Sequence, residues 1–123
     1  MGLEAYKRDK SAVEKGVWIT LNNGVKVLLK EWGTPEFWAS YLLNANFEGD
    51  NITTEEDVKA TGLAIANSIV MKIDNDGTMI EGAIAVSEII NDPAYWELKS
   101  EIILESKKTE LFRIKKSEKT KKP

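Results

Sequence analysis

Apolar and polar positions in this chain follow two periods, and the change between them divides the sequence. Within "GVWITLNNGVKVLLKE", residues 16–31, every second position is apolar from 17 to 21 and again from 25 to 29, the period of a β-strand. With Asn22-Asn23-Gly24 as a three-residue loop and Gly24 in the left-handed position, Leu21 faces Val25, Ile19 faces Val27 and Val17 faces Leu29. All six are apolar and share one face. A two-residue Asn-Gly loop would instead set Leu21 against Lys26 and Val17 against Lys30, so the pattern selects the longer loop. The same register puts Trp18 opposite Leu28 on the other face.

Past Gly33 the period becomes helical. Thr34-Pro35-Glu36 supplies an N-cap, a proline at the first helical position and an acid in the first turn. Stripes of Phe37, Tyr41 and Ala45, and of Trp38 and Leu42, predict a helix over about 35–47. Thr53 and Glu56 fit a capping box, and Val58, Gly62, Ile65, Ala66, Ile69 and Ile73 carry one face of a helix predicted over about 54–73. A short helix over about 82–91 carries Ile84, Val86, Ile89 and Ile90. Asp92 and Pro93 then open another over about 93–107, with Tyr95, Leu98 and Ile102 on one stripe and Trp96 and Ile103 beside it. Residues 1–15 read as a polar, exposed lead-in with room for one helical turn. The predicted fold is α+β: an N-terminal β-hairpin over 16–31 followed by about four α-helices, in a single small domain spanning 16–112, with a basic, flexible tail over 113–123.

Length and composition agree with one globular domain: 123 residues, 42% hydrophobic and 30% charged. The absences narrow the chemistry. Without Cys there is no disulfide, thiolate nucleophile or cysteine zinc site, and without His the commonest general base and metal ligand are missing. No apolar run reaches the roughly 20 residues that cross a bilayer, and residues 1–7 lack the apolar core of a signal peptide. An intracellular protein that is not an enzyme is expected. The net charge of −3 is unevenly placed: residues 107–123 hold 8 of the 17 basic side chains and 2 of the 20 acidic ones, leaving +6 there and −9 on residues 1–106. Such a tail suits a solvated terminus or a contact with nucleic acid or an acidic partner.

"KIDNDG", residues 72–77, has the look of a calcium loop. With Gly77 at position 6 of an EF-hand, Asp74 and Asp76 take positions 3 and 5, but Lys72 falls at position 1 and Ala83 at position 12. A cation stands where the first ligand belongs and the bidentate glutamate is missing. The stretch is therefore expected to be a turn between two helices. The acidic pairs Asp74/Asp76 and Glu55/Glu56 fit surface turns and helix starts. No catalytic, metal-binding or cofactor-binding residue is predicted. The aromatic side chains stand out more, with four Trp in a small chain. Trp and Tyr anchor protein–protein contacts, which makes Trp18, Leu28, Trp38 and Trp96 the candidate partner-binding residues.

The order of segments "GVWITLNNGVKVLLKEWGTPEFW", "IVMKIDNDGTMIEG" and "IINDPAYWELKSEIILESKKTELF" resembles the small tail assembly chaperones of long-tailed, siphovirus-like bacteriophages. The resemblance spans about residues 13–113 and departs from the pattern at Met71-Lys72-Ile73, where relatives place a Trp before the turn. It implies a protein that binds the long helical tape-measure protein and keeps it soluble while major tail-tube subunits polymerise around it. It also implies action in the host cytoplasm during infection and absence from the finished virion. The other functions compatible with the sequence are a structural head–tail connector or tail-completion protein, and a nucleic-acid-binding accessory protein using the basic tail.

Overall fold

Asn22-Asn23-Gly24 closes the first hairpin with the loop length that the alternation demands. The structure, a computed structural model, describes residues 2–45 and 54–113. Strands β1 (Val17–Thr20) and β2 (Lys26–Leu29) pair antiparallel with Val17 opposite Leu29, Trp18 opposite Leu28 and Ile19 opposite Val27. The Leu21 N–H donates to the Val25 carbonyl at 2.8 Å and the Gly24 N–H to the Leu21 carbonyl at 2.9 Å. Gly24 holds φ at 86°, the left-handed position that only glycine takes without strain. Leu21, Val27 and Leu29 are buried, and Ile19 and Val25 pack against them half-buried.

The second half of the sheet corrects the sequence-based expectation. The helix predicted over 54–73 stops early: α3 covers Thr54–Ser68, α2 before it covers Pro35–Ala45, and Val70–Asn75 forms strand β3. The expected inter-helix turn at Asp74–Gly77 is the bend of a second hairpin, whose return strand β4 spans Thr78–Glu81. Asp76 (φ 51°) and Gly77 (φ 91°) make its two-residue loop, both left-handed as a type I′ turn requires. The Asp74 carboxylate accepts the Gly77 N–H at 2.9 Å and braces that loop. All four strands run antiparallel in the order β1-β2-β3-β4, so α2 and α3 form the connection from β2 to β3.

A bulge explains why β3 resembles a helix in sequence. Leu28 pairs with Lys72 but Leu29 pairs with Val70, which leaves Met71 as an extra residue. Val70 and Ile73 are thereby buried on the same side, three residues apart, at helical rather than strand spacing.

The remaining helices follow their caps. Thr34 Oγ1 accepts the Phe37 N–H at 3.3 Å at the start of α2. Asp92 accepts the Ala94 N–H at 2.9 Å and opens a 3-10 turn at Pro93–Tyr95, which continues as α5 (Trp96–Ser106). Helix α4 covers Ala83–Ile90. The expected Thr53 cap and residues 46–47 of the predicted 35–47 helix lie outside the described residues. Phe37, Ile65, Ile69, Val86, Ile90 and Ile102 come from these helices and pack with Val27, Leu29, Val70 and Ile73 of the sheet as one core. Where α3 meets the end of α4, a Cβ on Gly62 would fall 1.9 Å from the Asn91 side-chain oxygen, so the close approach depends on glycine there. The α+β class and the single small domain stand.

The lead-in is mostly exposed, as expected, and its helical turn is Lys10–Lys15, helix α1, capped by Asp9 on the Ser11 N–H at 2.9 Å. What the sequence did not indicate is that residues 8–12 are docked on the body. Arg8 makes a bidentate pair with Glu31, Nε to Oε1 at 2.6 Å and the terminal nitrogen to Oε2 at 3.0 Å. The Asp9 N–H donates to the Phe112 carbonyl at 2.8 Å, and the Trp32 N–H to the Ser106 carbonyl at 3.0 Å. Ala12 and Phe112 are buried. Arg113 forms an isolated bridge with Arg8, and the rest of the predicted 113–123 tail lies outside the described residues.

Candidate functional site

The four side chains singled out in the sequence occupy three places. Trp18 and Leu28 are cross-strand partners on the sheet face turned away from the core, with Trp18 48% exposed and Leu28 half-buried. The register continues their row through Lys72 and Glu81, which form an ion pair at 3.5 Å. The neighbouring row runs Thr20, Lys26, Asp74, Met79, of which Met79 is exposed. The result is an apolar strip on β1 and β2 that gives way to paired charges on β3 and β4. No alternation of buried residues explains a tryptophan here.

Trp38 belongs to a ladder of rings on the helical side of the sheet. Trp32 and Phe37 are 4.3 Å apart between centroids, Phe37 and Trp38 4.9 Å edge-on, and Trp38 and Tyr41 5.9 Å edge-on. The Lys107 ammonium lies 4.9 Å from the Trp32 ring centre. Trp38 therefore helps to hold α2 in place, although 46% of its surface is open, and Leu42 beyond it is exposed. Electrostatics tie the same helix down: the Tyr41 hydroxyl donates to the Asp57 carboxylate of α3, and that bond raises the Tyr41 pKa above its ordinary value. On α5, burial pushes the Lys99 ammonium below its usual range, while attraction to Asp57 pulls it partly back. Near the start of α2, the hydrogen bond to Glu31 raises the Arg8 pKa above its ordinary value.

Trp96, the most open of the four at 68%, starts α5 beside Tyr95. Tyr95 was not among the predicted residues, yet it stands over a groove between the tip of the first hairpin and the start of α5. Two adjoining hollows make up that groove, about 250 Å³ and about 130 Å³, and Val25, Tyr95 and Leu98 line both. The sequence carries the signal only as Tyr95 and Leu98 on a helix stripe, which a core would explain equally well.

Among the described residues, no group of three or more Asp or Glu side chains gathers in a way that could hold a metal ion. No described helix is long and apolar enough to cross a membrane. No family model matches the chain, and no curated protein or solved structure matches it either.

Proposed function

We propose that this protein is a phage tail assembly chaperone that binds the tape-measure protein and keeps it soluble during tail-tube assembly. The observation that carries the proposal is Trp18, an open tryptophan beside Leu28 on a sheet face that the protein's own core does not use. Open aromatic side chains on a rigid sheet are the usual anchors of protein–protein contacts. A long helical partner with apolar stripes aggregates unless those stripes are covered. The segment order that resembles the tail assembly chaperones supports the same reading, apart from the Asp74–Gly77 turn, which here joins two strands.

Co-expression with the candidate tape-measure protein of the same genome tests the proposal. The expected outcome is a larger soluble fraction of tape-measure protein and co-purification of the two. Trp18→Ala should weaken co-purification while costing no more than about 1 kcal/mol of stability, the scale of one cross-strand pair. Unchanged solubility with no co-purification would sink the proposal.

A further inference from the structure

The groove under Tyr95 has an apolar floor and a one-signed rim. Leu21 and Val25 wall the larger hollow on the hairpin side, and Ile73, Ile80 and Ile89 wall the smaller one. Glu97 and Glu101 stand on the rim, and no Lys or Arg lines either hollow. Neither glutamate makes an ion pair among the described residues. Glu101 uses one oxygen to accept the Asn22 N–H at 3.1 Å. Lys99, the cation on the intervening stretch of α5, interacts with Asp57 instead. Among the described residues, the negative charge on this rim has no ion-pair partner.

Backbone pairing narrows the shape of an occupant. On the hairpin side, the N–H groups of Leu21, Asn22 and Gly24 are bonded within the turn or to Glu101, and on the other side the Tyr95 N–H bonds to Asp92. Around the larger hollow these donors are already used, so an added strand finds none of them free to zip on; the edge strand β4 reaches only the smaller hollow, through Ile80. A segment seated in the larger hollow satisfies its own backbone best as a helix does.

We propose that this groove receives an amphipathic helix of a partner protein. Two apolar side chains one turn apart fill the two hollows, and Lys or Arg beside them faces Glu97 and Glu101. The proposal is independent of the partner named above and of the Trp18 face.

Three synthetic helical peptides, titrated into the full chain and followed by backbone amide NMR, test it. The first carries Leu at i and i+4 flanked by Lys, the second replaces those Lys by Glu, and the third replaces both Leu by Ala. The Leu/Lys peptide should shift amides at 21–25 and 94–101, and the Leu/Glu peptide should bind at least about fivefold more weakly, the scale of two exposed ion pairs. The Ala peptide should leave the spectrum unchanged. Glu97→Lys, at an exposed position and with its fold checked by the same amide spectrum, should erase the preference for Lys over Glu. Equal binding of the Lys and Glu peptides, shifts confined to other surfaces, or no binding by any peptide would each overturn the proposal. If the groove obeys this rule while tape-measure solubility is unaffected, the groove assignment holds and the chaperone reading fails. The opposite pattern, co-purification that survives Glu97→Lys with no peptide bound at the groove, leaves the chaperone reading and removes this one.

Discussion

In the β1–β2 hairpin two cross-strand pairs of apolar side chains turn toward the core, whereas in the β3–β4 hairpin only one does. Buried Val27 and Leu29 face half-buried Ile19 and Val17 across the first pair. Across the second, buried Ile73 faces half-buried Ile80, and the next pair on that face is polar, Asn75 with Thr78. The turns differ in the same sense. Glu101, 79 residues away in sequence, accepts the Asn22 N–H of the first loop, while Asp74, three residues away, accepts the Gly77 N–H of the second. Tertiary burial fixes the register of the first hairpin. Local turn chemistry contributes far more to the second.

The largest test of that contrast is a pair of truncations across the second hairpin. Ile73→Ala, at a position 2% exposed, should cost about 2–5 kcal/mol in chemical denaturation, and Ile80→Ala roughly half as much. Equal costs would mean that the edge strand is as much a part of the core as its neighbour, and the contrast would break. Next in size come the loop glycines. A Cβ at Gly24 or Gly77 would meet nothing within 4 Å, so Ala at either position measures backbone strain alone, about 1–2 kcal/mol. A neutral Gly24→Ala would show that the first loop does not rely on its left-handed residue. The smallest effect separates local from remote bracing. Asp74→Ala and Glu101→Ala should each cost about 0.5–1 kcal/mol. Amide exchange should quicken at Gly77 alone in the former, but at Asn22 and along α5 in the latter. Exchange confined to Asn22 in the Glu101 variant would reduce that bond to a local one as well.

The same contrast accounts for what the sequence made legible. The first hairpin could be read to the residue because six apolar side chains satisfy a single register and no other. β3 could not, because the bulge at Met71 puts Val70 and Ile73 at helical spacing, and Ile65, Ile69 and Ile73 continue the stripe of α3 without a break. The signal that outweighs that stripe is Asp76-Gly77 after a run of Ile69, Val70 and Ile73, since this dipeptide favours a two-residue hairpin. Caps at Thr34 and Asp92 were readable because each is a local hydrogen bond. Docking of residues 8–12 was not, because it rests on Glu31 and Phe112, partners distant in sequence. For the candidate site, the open face of Trp18 followed from register. The Tyr95 groove is made by elements far apart in the chain, and no periodicity reports their meeting.

The contacts between the first and last described segments have a consequence for how the molecule is made. Asp9 cannot bond to Phe112, nor Trp32 to Ser106, until those residues have been translated. At ~5–20 residues per second, Asp9 is added to the chain roughly 5–20 s before its partner exists. The first hairpin can form in microseconds, yet its inner face has nothing to cover it until α3 and β3 follow. The nascent chain thus passes through a stage in which an apolar sheet face is open to solvent. Joining Arg8 and Asp9 to residues 112 and 113 is the last long-range contact of the described fold to become possible, and it sets the segment before α1 beside the segment after α5.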